Sequence, residues 1–331
     1  MIWLTWRQFR TQAAVTCGVI AVLAAVLAVT GQQLAHLSST SSNEFLSRVS
    51  SADRALWVIA SLAVLAAPAL TGLFWGAPLI TRELDAGTYR LAWTQTTRTR
   101  WLAAKLGLLG LAAMAAAGLL SLAVTWWARP VDAAIAAHQG ILPPGLLVFP
   151  RLSPELFAAR GIVPLGYAAF FFVLGVTIGV VVRRTLPAMA LLLAAFAVVQ
   201  IGMTTFVRPH LIAPEQRTEV ISAANLLNIN VNNSITVVAS EPGAWVSAQH
   251  TVNAAGQPVQ APSWVLTCPA RSAAASQACY TRLARLGYRQ QITFQPASRF
   301  WPLQRDETAI YLGLTIAVAG LCFWWTRRLL S

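Results

Sequence analysis

Charged and hydroxyl side chains, the groups that could take part in recognition or chemistry, are concentrated in residues 80–105. This stretch reads ITRELDAGTYRLAWTQTTRTRWLAAK and holds five of the chain's 24 basic residues, two of its 11 acidic residues and its single lysine. Long uncharged runs lie on both sides of it. A short segment with both charge signs between two apolar runs suits docking against another protein, and a simple charged turn is the alternative.

Motifs for bond-making chemistry do not occur in the sequence. There is no GxxxxGK[ST] loop for ATP, and there is no CxxC, HExxH or GxSxG motif. The four histidines are far apart in the sequence, and none forms a nucleophile-base set: His36, His138, His210 and His250. We therefore expect no enzymatic activity, no cofactor and no metal site in this chain.

Composition indicates a membrane protein. The 331 residues are 56% hydrophobic and 11% charged, with a mean hydropathy of +0.60, whereas soluble domains carry about 25% charged residues. Six uncharged runs contain apolar stretches of about 18 residues or more, which as helices cross a hydrocarbon core of ~30 Å. The fold class predicted is an all-α polytopic membrane protein with six transmembrane helices, at residues 13–32, 57–79, 106–128, 162–182, 186–206 and 308–326.

Basic residues predict the orientation of these helices. Residues 1–12, 80–105, 183–185 and 327–331 together hold 11 of the 24 basic residues in 46 positions, and short loops rich in Arg and Lys mark the cytoplasmic side. We expect both termini in the cytoplasm and the chain in the bacterial inner (plasma) membrane. A signal peptide is the alternative for the first apolar run, but no clear cleavage site follows it.

The first twelve residues predict an amphipathic helix that lies along the inner membrane surface before turning into the first span. Trp3 and Trp6 would face the membrane, and Arg7 and Arg10 would face water. A plain juxtamembrane anchor is the alternative.

Residues 207–305 predict a small mixed α/β domain outside the membrane, between the fifth and sixth helices. Residues 214–229, PEQRTEVISAANLLNI, favour a helix, and the pieces SITVVAS, AWVSAQHTV, SWVLTC and QITFQP favour strands. Cys268 and Cys279 predict a disulfide, because a cysteine pair confined to an extracytoplasmic domain is typically oxidised. Two free thiols are the alternative.

Inside the predicted spans, the residue pattern limits the possible energy sources. No Asp, Glu, Lys or Arg lies in the middle of a span, whereas proton-driven transporters and small-ion channels commonly use such residues. The chain is therefore expected to use a partner's energy or to do no pumping.

Two further patterns concern packing. Gly72 and Gly76 form a small-xxx-small pair that permits close helix packing. Five prolines in residues 129–161 predict a structured loop.

Several of these segments resemble permease subunits of type-2 ATP-binding-cassette (ABC) transporters. In that family the inner loop carries Arg-Glu, then Gly-Thr, a Leu and a basic stretch that ends in Lys. FWGAPLITREL, RLAWTQTTRTRWLAAKL, FQPASRFWPLQ and the N-terminal WLTWRQFR are similar to actinobacterial members in particular. The matching positions of the inner loop are Arg82-Glu83, Gly87-Thr88, Leu91, Arg98, Arg100 and Lys105.

One segment departs from the family pattern. The outer segment before the last helix is 99 residues long, whereas the class typically has a short re-entrant hairpin there.

The resemblance implies the permease subunit of an exporter for a hydrophobic or amphipathic substrate such as a drug, lipid or secondary metabolite. Two permease copies, or this chain with a related one, would form the pathway. Two separate P-loop ATPase subunits, which bind ATP and Mg, would dock beneath it. Independently of the resemblance, we expect no nucleic-acid partner, because the basic residues lie between apolar runs and form no tail or stripe. Residues 80–105 would supply the coupling helix beside residues 1–12. Polar docking contacts would come from Arg82, Glu83, Asp85 and Arg90, a tight turn from Gly87, and interfacial anchoring from Trp93 and Trp101.

Two other functions remain open on the sequence. One is a membrane-anchored sensor or assembly factor whose outer domain binds a ligand or protein. The other is a secondary transporter, which would need an ionisable residue in the middle of a span.

Overall fold

Six long apolar helices form the framework of the chain. The computed structural model describes residues 2–40, 45–85, 97–137, 150–223, 225–229, 233–268 and 273–329. Within those residues, six helical segments are long and apolar enough to cross a membrane: Arg10–Thr40 (span 1), Ser51–Thr81 (span 2), Thr99–Trp127 (span 3), Val163–Val182 (span 4), Thr185–Leu211 (span 5) and Ala297–Arg328 (span 6). Each overlaps a predicted span, so the prediction of a multi-pass, mostly helical membrane protein is confirmed.

The helices differ from the predicted spans mainly at their ends. Two π-helical turns, Gly72–Gly76 in span 2 and Met203–Val207 in span 5, interrupt otherwise α-helical segments. The α-helical segments run Ile2–Thr40, Ser51–Thr71, Ala77–Asp85, Arg98–Trp127, Val163–Val182, Thr185–Gly202, Arg208–Leu211 and Phe300–Leu329.

The first helix is continuous from Ile2 to Thr40. The predicted turn between an interfacial helix over residues 1–12 and the first span is therefore wrong. The physical reason is visible in the sequence, because no glycine or proline precedes Gly18 and nothing interrupts the helical hydrogen bonds before that point.

Contacts between residues near the ends of the spans define two ends of the bundle. At one end, Gln12 near the start of span 1 meets Phe74 late in span 2, and Thr81 at the end of span 2 meets Thr185 at the start of span 5. Trp101 near the start of span 3 packs with Cys322 late in span 6 at the same end, which we call the termini end. The end at which residues 212–296 are inserted between spans 5 and 6 is called the domain end.

Span 4 occupies the centre of the bundle. Of its apolar window 72% is buried, compared with 6% for span 1, 17% for span 5 and 11% for span 6. Span 4 contacts spans 2, 3, 5 and 6, and its residues Phe171, Phe172 and Val176 are fully buried. The outward apolar faces of spans 1, 5 and 6 are those expected of helices that meet lipid or another subunit.

Spans 2 and 4 cross at backbone distance. A Cβ added at Gly76 would lie 2.6 Å from the carbonyl oxygen of Phe172, and one added at Gly175 would lie 2.5 Å from that of Gly72. Gly175 and Gly179 form a second small-xxx-small pair on span 4, and a Cβ added at Gly179 would lie 2.6 Å from the Ala77 carbonyl oxygen of span 2. The close packing predicted for Gly72 and Gly76 is confirmed.

Span 2 begins at an N-terminal cap. Ser50 has extended backbone geometry, and its Oγ accepts a hydrogen bond from the Asp53 backbone N–H at 3.1 Å and donates to the Asp53 carboxylate at 2.6 Å. Such a cap satisfies backbone groups that the first helical turn leaves without partners, and an acidic residue in that turn favours the helix dipole.

Short helices cover the domain end of the bundle. They are Phe45–Arg48, Arg129–Ala137 and Pro154–Phe157. The structured loop predicted for residues 129–161 agrees with the last two of these, and residues 138–149 lie outside the described residues.

The described residues of the inserted domain contain five short strands. β1 (Glu215–Val220), β5 (Arg289–Gln295) and β4 (Trp245–Val252) form an antiparallel sheet in that order, and β2 (Leu226–Ile229) pairs with β3 (Ile235–Val237). The Gln249 side-chain amide bonds to both the N–H and the carbonyl oxygen of Val237, which joins the two sheets. Helical segments complete the fold at Ser263–Thr267, Ala273–Arg285 and Ala297–Arg299.

Two local predictions in this domain are wrong. Residues 214–229 form β1 and β2 rather than a helix, because the pairing of Glu215 with Phe294 through Val220 with Arg289 overrides the helix preference of the local sequence. SWVLTC contains the 3₁₀ turn Ser263–Thr267 rather than a strand. The mixed α/β character itself is confirmed.

A compact apolar core and one disulfide stabilise the domain. Val237, Leu283, Ile292 and Phe294 are buried together in this core. Cys268 and Cys279 form the predicted disulfide, and Cys17 and Cys322 are free thiols.

Candidate functional site

Both flanks of the predicted coupling loop belong to described helices. Ala77–Asp85 carries the first acidic and basic positions, and Arg98–Trp127 carries the last basic ones. Gly87, Thr88, Arg90 and Trp93 lie outside the described residues. The structure also leaves undescribed the side chains of Trp3, Trp6, Arg7, Arg82, Glu83, Asp85 and Arg98. The roles assigned to all of these residues stay predictions.

The first flank is joined to spans 4 and 5. Thr81 is fully buried, and its hydroxyl donates to the Ala77 carbonyl oxygen at 3.2 Å. The Thr81 Oγ1 lies 2.8 Å from Oγ1 of Thr185, the first residue of span 5, so the Thr185 hydroxyl can donate to it. A Cβ added at Gly179 of span 4 would lie 2.6 Å from the same Ala77 oxygen. Span 2 therefore reaches the loop in contact with two other spans.

The second flank is buried in the bundle. Trp101 and Lys105 are 6% and 4% exposed, and the Lys105 ammonium lies 4.5 Å from the centroid of the Trp101 ring, which is a cation–π geometry. Trp101 packs in one apolar cluster with Ile80 of span 2, Val180 of span 4 and Cys322 of span 6. Trp101 therefore lies among protein side chains, whereas the prediction placed it at the membrane interface. Arg100 and Arg10 are exposed.

At the opposite, domain end, a buried ion pair joins spans 5 and 6. The Arg208 guanidinium donates twice to Glu307, with Nε to Oε2 at 2.9 Å and Nη2 to Oε1 at 3.0 Å, and both side chains are fully buried. The Tyr167 hydroxyl of span 4 donates to Glu307 Oε1 at 3.0 Å. Bidentate geometry of this kind is the strongest arrangement of an arginine and a carboxylate.

Further contacts bring a short helix into the same cluster. Arg208 Nη1 donates to the Pro154 carbonyl oxygen at 3.3 Å, and the guanidinium carbon lies 4.5 Å from the Phe157 ring centroid. Gln304 of span 6 accepts hydrogen bonds from the backbone N–H groups of Ile162 and Val163, both at 2.9 Å. Since those N–H groups belong to the start of span 4, where helical partners are missing, Gln304 caps span 4 from span 6.

Few features of the amino-acid sequence indicate this buried polar cluster. Arg208 and Glu307 both lie at the edges of apolar runs, where charged residues are common at helix ends, and the predicted last span began one residue after Glu307. Because the helix begins at Phe300, Glu307 lies two turns inside it. A helical projection of residues 300–311 places Gln304, Glu307 and Tyr311 on one face, and this polar face could have indicated the buried cluster.

An apolar groove of about 530 Å³ opens between spans 1, 2 and 3 near the termini end. Thr11, Gln12 and Thr16 supply polar groups from the first turns of span 1, and the Gln12 amide donates to the Phe74 carbonyl oxygen at 3.4 Å. The apolar lining includes Val15, Val19, Ile20, Leu23, Ala63, Ala67, Leu70, Phe74, Trp75, Ala116 and Leu120.

The site consists of contacts between helices at the two ends of the bundle. In the described part of the chain, no group of three or more His, Cys, Asp or Glu side chains could hold a metal ion. Hydroxyl and apolar contacts join the helices at the termini end, and a buried ion pair joins helices at the domain end.

Residues 17–208 match the model of one protein family, described as ABC-2 membrane transporter related. Comparison with curated proteins found no significant match, and comparison with solved structures found none either.

Proposed function

Because the chain belongs to the ABC-2 membrane transporter-related family, we propose that it is the membrane-spanning subunit of an ATP-driven exporter in the bacterial cell membrane. This family implies association with an ATP-binding subunit in general. In our proposal the termini end faces the cytoplasm, the domain end faces outward, and a separate P-loop ATPase, which holds ATP and Mg, docks on residues 80–105. This chain itself carries out no catalysis and binds no cofactor.

The attachment of both loop flanks to several spans is the observation that carries the proposal. Thr81 meets Thr185 of span 5, and Trp101 packs with residues of spans 2, 4 and 6. A displacement of the segment between these flanks would therefore act on spans 2 to 6 together. A docking element for a motor needs this property, and a simple charged turn does not.

At the domain end, spans 4, 5 and 6 would move as one body. Separating Arg208 from Glu307 would leave two buried charges without partners, which costs several kcal/mol. Motion driven from the cytoplasm would then change the packing of this body against spans 1 to 3, or against the second permease copy. Alternating access follows if ATP binding and hydrolysis favour different packings.

The groove between spans 1, 2 and 3 supports a hydrophobic or amphipathic substrate. Its volume of about 530 Å³ is in the range of small-molecule sites. Polar groups at Thr11, Gln12 and Thr16 and apolar side chains beyond them would match the two parts of an amphipathic molecule.

A second permease copy, identical or related, would complete the pathway. Spans 1, 5 and 6 expose apolar faces that require a cover of lipid or protein. We propose that part of this surface packs against the second copy.

Charge reversal in the loop tests the coupling. We expect the double variant Glu83→Lys plus Asp85→Lys to lose most of its association with the ATP-binding subunit when the complex is purified from membranes, because like charges would then oppose the docking surface. ATPase activity stimulated by lipophilic compounds should fall in parallel, whereas fluorescence-detected size exclusion should show a folded permease.

Glu155→Lys is the matched control, since Glu155 is an exposed acid at the domain end. Association should be unchanged in this variant. Undiminished association of the double variant would contradict the coupling role of residues 80–105.

A further inference from the structure

A second pocket, of about 410 Å³, lies at the domain end between spans 3 and 6, the helix Arg129–Ala137 and the inserted domain. Three arginines and one acid line it: Arg129, Arg151, Arg160 and Asp132. The pocket therefore carries a net charge of about +2 when all four groups are ionised. Its volume is in the range of sites that hold a small ligand or a headgroup.

Arg160 is the buried member of this set. Its side chain is 1% exposed, and its one ionic contact is from Nη1 to the Asp132 Oδ2 at 3.4 Å, which is long for a charge-assisted hydrogen bond. Within the described part of the chain, its Nε and Nη2 are buried without a hydrogen-bond partner, and so is Oδ1 of Asp132. Buried donors on a cation are costly unless an acceptor meets them.

Asp132 is the one acid beside the three arginines that line the pocket. Burial raises the pKa of the Asp132 carboxyl, even though Arg160 and Arg151 lower it. Burial also lowers the pKa of the Arg160 guanidinium, an effect that Asp132 offsets in part. Since arginine stays protonated in proteins, an added anion would supply the acceptors and the negative charge that this pocket lacks.

The position of the pocket along the spans indicates where its ligand comes from. It is lined by Thr125, near the last turn of span 3, and by Phe300 and Trp301 at the start of span 6. Trp126 and Trp301 are about half exposed, and tryptophans at the ends of spans are typical of the headgroup level. The Arg151 guanidinium carbon lies 4.8 Å from the Phe300 ring centroid, which holds a cation at the same level.

We propose that this pocket binds the phosphate-type headgroup of an amphipathic molecule. Arg160 supplies positive charge from the buried wall, and Arg151 and Arg129 close on the oxyanion from the more open side. The planar fork of arginine fits phosphate oxygens in pairs. Binding here does not depend on the ATPase coupling proposed above, because it requires the folded permease alone.

Lipid titration of the purified full-length chain tests the pocket. In neutral detergent, added phosphatidylglycerol should raise the unfolding temperature, and native mass spectrometry should detect retained lipid. Phosphatidylcholine should have a much smaller effect. Arg129→Gln plus Arg151→Gln should weaken the apparent affinity for phosphatidylglycerol about tenfold or more, as expected for the loss of charge-assisted hydrogen bonds.

Two further variants distinguish lipid binding in this pocket from non-specific electrostatic attraction to the basic protein surface. Arg285→Gln plus Arg289→Gln removes the same charge from exposed positions outside the pocket and should leave the affinity unchanged. Asp132→Asn should tighten binding, because it removes the negative charge that competes for Arg160. Equal weakening by the two arginine pairs would overturn the proposal, and so would weaker binding by a folded Asp132→Asn variant.

Inorganic phosphate distinguishes the two sources of the headgroup. Stabilisation by phosphatidylglycerol with no effect of inorganic phosphate at the same concentration supports a membrane lipid or lipid-like molecule. Stabilisation by inorganic phosphate alone supports the oxyanion chemistry but overturns the amphipathic source. If neither ligand stabilises the protein, the proposal is wrong.

Discussion

A guanidinium and a carboxylate meet at the domain end with neither exposed to solvent. Arg208 and Glu307 form two hydrogen bonds of 2.9 and 3.0 Å, and Tyr167 adds a third. Taking two charges out of water is expensive, so such a pair contributes little net stability but strongly penalises the loss of either partner. Its value to the protein lies in specifying how spans 4, 5 and 6 meet.

Single and double substitutions separate these effects. We expect Glu307→Gln or Arg208→Gln to lower the free energy of unfolding by about 3–5 kcal/mol, because the remaining group would be buried without its partner. Arg208→Met plus Glu307→Leu should recover much of this loss. Thermal unfolding in detergent micelles measures both.

The pair between Arg299 and the half-exposed Glu215, at 2.8 Å, is the control for this prediction. Glu215→Gln should cost about 1 kcal/mol or less, since ion pairs that reach solvent contribute little. Single Glu307 and Arg208 variants as stable as this control would contradict the structural role assigned to the buried pair.

Among the elements, the crossing of spans 2 and 4 depends most directly on residue size. A Cβ added at Gly72, Gly76 or Gly175 would lie only 2.5–2.6 Å from a backbone oxygen of the facing span. The π-helical turn Gly72–Gly76 lies at this contact. The crossing leads directly into Ala77–Asp85, so it also fixes the direction in which the first loop flank leaves the bundle.

A single methyl group should disrupt this crossing. Gly175→Ala places a Cβ 2.5 Å from the Gly72 carbonyl oxygen, and overpacking of this kind typically costs about 1–3 kcal/mol. Gly313→Ala, at a position with no heavy atom within 4 Å of its Cβ, is the matched control and should be neutral or slightly stabilising. Equal unfolding temperatures for the two variants would show that the crossing tolerates separation.

On the scale of the whole molecule, the inserted domain is attached firmly to the bundle. Gln295 donates to the Ile212 carbonyl oxygen at 2.6 Å, and Arg299 donates to that of Ala213 at 2.6 Å. Trp245 of β4 packs in an apolar cluster with Phe157 and Phe300. The domain therefore covers the end of the pathway that we propose to face outward, opposite the loop that we propose to face the ATPase.

Cysteine labelling in intact cells tests this orientation. In a Cys17→Ala background, Gln257→Cys should react with a membrane-impermeant maleimide from outside, because Gln257 is an exposed position of the inserted domain. Glu83→Cys should react only after the cells are permeabilised. The reverse pattern would place the loop outside and would remove the basis for coupling to a cytoplasmic ATPase.

Four features could be predicted from the amino-acid sequence alone: the number of spans, the close approach of Gly72 and Gly76, the mixed inserted domain and the pairing of Cys268 with Cys279. These features depend on local hydrophobic length, residue size and redox chemistry, which one sequence displays directly. The folded structure was needed to show that residues 214–229 form strands, that Trp101 and Lys105 are buried, and that Arg208 meets Glu307. Strand β1, Trp101 and Arg208 each depend on a partner far away in the chain, and no local pattern records which partner will be adjacent.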